Sequence, residues 1–152
     1  MQIDDAAMIL ASADFFGICT DEQRRMLAFA SERKRYPAGT VISKAGDVPD
    51  GAMVLASGTI SVTPESESEP NPYIVSEVGA VIGAMALIVG RPRELTVRAI
   101  NIVEVIFVPR HAFLKLVNQS PDLAERAADR IRQELGAFVS AIDPIRDRMG
   151  KQ

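Results

Sequence analysis

The middle of this chain is written for strands. From Lys34 to Pro109 it is a series of short β-branched runs, each closed by turn residues before it reaches the length of an ordinary helix. The runs are Arg33–Tyr36, Val41–Lys44, Ala52–Ser57, Thr59–Thr63, Tyr73–Val78, Leu95–Ala99 and Val103–Pro109. Between them stand Pro37-Ala38-Gly39, the stretch from Ala45 to Gly51, Gly58 and Gly79, all residues with turn chemistry. Many short strands at this spacing imply a sandwich or a barrel-like roll. At 152 residues the chain fits one such domain with a sizeable core.

Helices are expected at both ends. Ile3, Ala7, Leu10 and Ala13 give Ile3–Ala13 one apolar face, with Asp4 and Asp5 in its first turn. Phe15 and Phe16 follow, placed to pack on the next element. Thr20-Asp21-Glu22-Gln23 reads as a capping box that opens a helix to about Ser31, with Met26, Leu27 and Phe29 as candidate buried positions. A short helix is expected over Arg110–Asn118, and a longer one from Pro121-Asp122, where Asp122/Arg126 and Arg130/Glu134 are spaced as ion pairs. Along the same segment, Ile131, Leu135, Phe138, Ile142, Ile145 and Met149 step by four and three alternately, the period of a coiled-coil seam. Pro144 removes a backbone donor, so the helix is expected to end or kink near Ile142 and restart with Asp143 as cap.

The most chemically suggestive stretch is Gly83–Ala99, reading G-A-M-A-L-I-V-G-R-P-R-E-L-T-V-R-A. A glycine opens an apolar run too brief for an ordinary helix, the chain turns at Gly90-Arg91-Pro92, and it leaves as a β-branched strand. Backbone N–H groups at the start of a helical turn point outward and suit an anion, and the planar fork of Arg93 suits a phosphate. Pro92 fixes the backbone just before that arginine, so its guanidinium can be aimed. The bland alternative is a buried apolar turn followed by a solvated Arg-Pro-Arg loop.

This stretch resembles the phosphate-binding cassette of the cyclic-nucleotide-binding domains, the family of the catabolite activator protein, protein kinase A regulatory subunits and cyclic-nucleotide-gated channels. Gly83, Ala86, Leu87, Gly90, Pro92, Arg93, Thr96, Val97 and Ala99 stand in register with the family pattern. The resemblance runs from about Phe15 to about Leu135, through Ala38–Ile42, Ala45–Asp47, Ala56–Val62 and Val103–Arg110. It implies a mainly β fold with flanking helices: N-terminal helices over 1–32, a jelly-roll-like β-roll (a double-stranded β-helix) over 33–109 with the cassette at 83–99, and C-terminal helices over 110–152.

The resemblance also implies a non-enzymatic regulatory sensor for cAMP or cGMP, with no tightly bound cofactor. Arg93 would neutralise the cyclic phosphate, N–H groups of Ala84, Met85, Leu95 and Thr96 would line the pocket, and Gly83 would let the backbone approach. Thr96 Oγ1 would contact phosphate or base, and the helix Asp122–Ile142 would move and be read by an effector protein. Family members pair through the corresponding helix, which implies a homodimer through 131–149. The family's glutamate, which accepts the ribose 2′-hydroxyl, is here Ala84; its small residue two after the arginine is Leu95; and Glu94 stands beside the cassette arginine. These departures define the alternatives: another small anionic ligand, or a degenerate ligand-free copy of the fold, with Leu95 filling the pocket, used for dimerisation or protein docking.

Composition removes other classes. A net charge of −3 argues against broad attraction to nucleic acid or anionic membrane, and the longest apolar run, Val78–Val89, is too short to span a bilayer. Cys19 is the only cysteine, so no intramolecular disulfide forms and a cytoplasmic setting is expected; its expected role is a packed apolar residue. The N-terminus lacks a basic leader, and too little chain follows Pro121 for a helix-turn-helix, so a stand-alone module is expected. The lone His111 has no cluster at metal-ligand spacing, and no nucleophile-and-base arrangement supports an enzyme. Pro64–Pro72, acidic and proline-rich, reads as an exposed loop.

Overall fold

The computed structural model describes residues 3–64, 72–87, 95–130 and 132–133. Helix α1 (Ile3–Ser12), a 3₁₀ turn (Asp14–Ile18) and helix α2 (Asp21–Ala30) precede the sheets. The strands are β1 (Glu32–Tyr36), β2 (Val41–Ser43), β3 (Gly51–Ser57), β4 (Ile60–Pro64), β5 (Tyr73–Val75), β6 (Val81–Ile82), β7 (Leu95–Ala99) and β8 (Val103–Pro109). A 3₁₀ turn (Ala84–Leu87) follows β6, helix α3 (Arg110–Gln119) follows β8, and residues 121–130 are again helical.

Two antiparallel four-stranded sheets, ordered β1-β8-β3-β6 and β2-β7-β4-β5, form the jelly-roll. Its register follows from the period-two pattern of the central strands. Met53 and Leu55 of β3 and Val103 and Val105 of β8 pack with Ile60, Val62, Val97 and Ala99 of the second sheet. The alternate residues Ala52, Val54, Ile106 and Val108 face the other way and join the helical core. Both faces of β3 and β8 are therefore covered, which explains why these two runs carry almost no polar residues. Between the sheets the roll is filled by these side chains.

The helical core is built on aromatics. Phe15, Phe16 and Phe113 are all buried, with ring centroids 5.2, 6.0 and 6.5 Å apart in edge-on or tilted pairs. Leu87 of the second 3₁₀ turn and Leu123 of the 121–130 helix are packed into the same cluster. Truncating a buried phenylalanine such as Phe113 to alanine costs about 3–5 kcal/mol. The cassette turn, the N-terminal helices and the final helix thus share one core.

The capping box is formed as read: Gln23 N–H donates to Thr20 Oγ1 (3.1 Å) and Thr20 N–H donates to Gln23 Oε1 (2.9 Å). The buried face of α2 differs from expectation. Leu27 and Ala28 are buried, while Met26 is 48% and Phe29 76% exposed. Helical geometry puts residues 26 and 29 a turn apart on the opposite face from the stripe that meets the core. In α1 it is Ala6 and Leu10 that are fully buried, with Ala7 only partly so.

The expected strand Tyr73–Val78 stops at Val75, because the chain turns over Glu77–Ala80, and Val81–Ile82 forms an unanticipated two-residue strand against Val54 and Met53. The Asp122/Arg126 spacing is not used as an ion pair: Arg126 Nε donates to the carbonyl of Ile18 (2.6 Å). Arg130 donates across to Asp14, while Glu134 lies outside the described residues. So do residues 65–71 of the expected Pro64–Pro72 loop, whose first residue ends β4, the expected turn at Gly90-Arg91-Pro92, Arg93, Glu94, all of the seam positions from Ile131 to Met149, and Pro144.

Candidate functional site

The start of the cassette is set by the turn before it. Ala80 N–H donates to the carbonyl of Glu77 (3.1 Å), Gly79 N–H to that of Leu55 (2.8 Å), and Leu55 N–H to that of Ala80 (2.9 Å). Gly79 takes φ 94°, and a Cβ there would lie 2.6 Å from Ser12 Oγ and 2.8 Å from the Ser12 carbonyl oxygen. The turn is therefore pressed directly against the end of α1, which only glycine allows. From it β6 leads in two residues to Gly83, with φ 81°, and Ala86 N–H donates back to the Gly83 carbonyl (2.9 Å). A short turn of this kind leaves its first N–H groups, those of Ala84 and Met85, without partners inside the turn.

Gly83, Ala84 and Leu95 line one cavity of about 570 Å³, together with Ser12, Asp14, Phe15, residues 77–81 and Arg130. That volume falls in the range of roughly 300–1,000 Å³ typical of small-molecule sites. The cavity lies where the cassette meets the N-terminal helices and the final helix, not between the two sheets. Leu95 is half-buried: it packs against the interior of the roll and contributes wall without closing the space. Ala84 packs against the helical core and presents no side-chain acceptor.

Of the six residues singled out in the sequence, Gly83, Ala84 and Leu95 are thus brought together. Met85 lies in the 3₁₀ turn, its side chain outside the described residues, as is Arg93. Thr96 is not among the cavity's described lining residues; its Oγ1 accepts a hydrogen bond from Ala45 N–H (3.1 Å), tying β7 to the turn after β2. Sequence reasoning missed Asp14, Glu77 and Arg130 on the cavity wall. Only the pairing of sites far apart in the chain reveals them, since Asp14 and Arg130 are separated by 116 positions.

Cys19, at the end of the first 3₁₀ turn, is buried. Arg24 donates to the carbonyls of Phe16 (3.0 Å) and Cys19 (2.6 Å), and Arg126 to that of Ile18. Burial pushes the Cys19 thiol up to about 11, with Arg24 and Arg126 pulling weakly the other way. It is a neutral packed residue, as expected. His111 is exposed at the start of α3, and among the described residues no group of three or more His, Cys, Asp or Glu could hold a metal ion. No helix among the described residues is long and apolar enough to cross a membrane.

Two antiparallel sheets flanked by helices, with a glycine-led 3₁₀ turn beside a cavity that the 121–130 helix also borders, are a helix-flanked jelly-roll. The sequence matches the cyclic nucleotide-binding domain over residues 33–120, more than half of the chain, and the chain belongs to that family. A cyclic nucleotide-gated potassium channel of Mesorhizobium japonicum, mll3241, is 34% identical over 112 residues, which cover 74% of this chain and 30% of the channel. The solved structure of a cyclic nucleotide-binding-like protein from Brucella abortus is 33% identical with a TM-score of 0.66, covering 76% of this chain and 99% of that one. The regulatory domain of Toxoplasma gondii PKA, solved with cAMP, shares the fold at 23% identity and a TM-score of 0.66, over 84% of this chain and 50% of that one. The chain spans well under half the length of the curated relatives it matches, between 8% and 42%.

Proposed function

We propose that this chain is a non-enzymatic regulatory module that binds a cyclic nucleotide, cAMP or cGMP, at the 83–99 cassette and passes its occupancy to the C-terminal helix. The observation that carries this reading is that Arg130, on the 121–130 helix, lines the same cavity as Gly83, Ala84 and Leu95. A ligand filling that space and the helix bordering it cannot be positioned independently. In this reading Arg93 neutralises the cyclic phosphate and the N–H groups of Ala84, Met85, Leu95 and Thr96 point at it. Thr96 acts through its backbone and through its placement of β7, since its oxygen already holds Ala45.

Occupancy then biases a two-state element, the helix beginning at residue 121, which an effector protein reads. Two copies pair through the apolar seam of 131–149. The module works in the cytoplasm, where cyclic nucleotides are made and sensed, and needs neither nucleic acid nor membrane. Relatives with cyclic-nucleotide names support the ligand class. Thermal unfolding with and without cAMP or cGMP tests the reading: a ligand-dependent rise in Tm that disappears in Arg93→Ala supports it, and an unchanged Tm speaks against it.

A second reading has its own observations. Ala84 lacks the acceptor that the resemblance assigns to this position, and both Ala84 and Leu95 pack against core clusters. A ligand-free copy of the fold, used for dimerisation or docking, would show those features. The open cavity beside Leu95 favours the ligand-binding reading.

A further inference from the structure

We propose that the groove between α2 and α3 is a docking site for a helix of a partner protein, one whose apolar stripe is flanked by acidic residues. The groove shares no described lining residue with the cassette cavity, so the proposal stands whether or not the cassette holds a nucleotide.

Each wall of the groove is one face of a ten-residue helix. Glu22, Arg25, Met26 and Phe29 of α2 stand at i, i+3, i+4 and i+7. Ala112, Lys115, Leu116 and Gln119 of α3 repeat that spacing, and a cavity of about 520 Å³ lies between the two faces. Ten helical residues rise about 15 Å, so the walls can meet about three turns of a third helix laid between them.

The surface of α2 is more apolar than its own fold uses. Leu27 is buried in the core, while Met26 and Phe29 stay exposed, and Phe29 is the one exposed phenylalanine among the described residues. Methionine and aromatic side chains left in water beside a groove are the kind that anchor protein interfaces. The buried lining residues, Leu27, Ala112 and Leu116, are all apolar, and the polar ones are all exposed. A small molecule would find no buried polar group there to orient it, and a bilayer surface does not fill a concavity. A stripe of apolar side chains on a helix does.

Charge selects the flanks of that stripe. The chain has a net charge of −3, yet this groove is lined by two cations, Arg25 and Lys115, against one anion, Glu22. Lys115 is exposed and makes no ion pair or hydrogen bond among the described residues, so its charge is available to a partner. Acidic residues on the incoming helix meet it favourably, and basic ones meet like charge.

The test is an amide NMR titration of the nitrogen-labelled chain with a designed helical peptide of about 15 residues. The peptide carries leucines at i, i+3, i+4 and i+7 with glutamates beside them, and a second version has lysines in place of the glutamates. The acidic peptide should shift amides of α2 and α3, and should bind Phe29→Gln about tenfold more weakly. Lys115→Glu should weaken the acidic peptide and strengthen the basic one, by about two- to fivefold each. Phe29 and Lys115 are both exposed, so the variants keep the fold, which an unchanged Tm verifies. No binding of the acidic peptide, shifts confined to other elements, or undiminished binding by Phe29→Gln overturns the site. Equal affinity for the two peptides overturns the acidic partner. Phosphatidylcholine vesicles that shift α2 and α3 where the peptide does not would make this a membrane face and overturn the proposal too.

Discussion

Arg130 donates to the carboxylate of Asp14, and the two side chains stand together on the wall of the cavity opened by Gly83, Ala84 and Leu95. The bond ties the final helix to the 3₁₀ turn after α1 across the space a ligand would enter. Asp14 is 89% exposed, so the pair contributes at most about 1 kcal/mol to stability. Its importance is electrostatic: an anion in the cavity competes with Asp14 for Arg130. In the proposed reading, occupancy and helix anchoring would thereby be opposed.

Asp14→Asn should therefore separate the two effects. Its Tm should change by less than about 4 °C, the equivalent of a surface ion pair in a domain of this size. Its affinity for cyclic AMP should rise by about two- to fivefold, because one negative charge beside the phosphate is removed. Weaker binding, measured by calorimetry at low salt, would contradict the competition.

Gly79 carries the contact between the cassette's approach and α1. Alanine there must adopt φ 94° and meet Ser12 atoms at 2.6 and 2.8 Å. Gly79→Ala should lose at least about 2 kcal/mol in urea unfolding, combining backbone strain with displacement of α1. A loss below about 1 kcal/mol would show that the turn and α1 separate easily and do not brace the cavity.

Local chemistry was legible in the sequence and long-range placement was not. Thr20 and Gln23 lie within one turn of each other, so their reciprocal bonds follow from spacing alone. The strands β7 and β8 were read with their bounds intact for the same reason, being uninterrupted β-branched runs between turn residues. The two-residue β6 has no run to detect; it exists because Met53 and Val54 offer it an edge. Met26 and Phe29 look like core by hydrophobicity, and only the packing of α2 decides which side of the helix meets the sheet. The site divides the same way: Gly83, Ala84 and Leu95 could be found from their motif, while Glu77, Asp14 and Arg130 join it through the fold.

Cys19 gives the fold a measurable alkaline weakness. Its thiol is pushed from the ordinary 9.0 up to about 11 because burial disfavours the thiolate. The proton is held more tightly in the folded state, so this contribution is intact below pH 9 and is lost as pH rises toward 11. The loss should total about 2–3 kcal/mol, at about 1.4 kcal/mol per pH unit. Cys19→Ala should flatten that part of the stability profile; an equally steep decline in the variant would assign it to other groups.

The seam beyond residue 130 makes a separate claim about assembly. If two copies pair through Leu135 and Phe138, Phe138→Glu places a carboxylate in an apolar interface and should yield monomers in sedimentation velocity runs. A sedimentation coefficient identical to that of the unaltered chain would remove the seam from the account.

Whether the cassette holds a cyclic nucleotide is decided by isothermal titration calorimetry with cyclic AMP and then cyclic GMP. Saturable heat is expected with at least one of them, weakened by about tenfold or more in Arg93→Ala, where the phosphate loses its charged partner. No heat from either nucleotide, or equal binding by the Arg93→Ala protein, would contradict it.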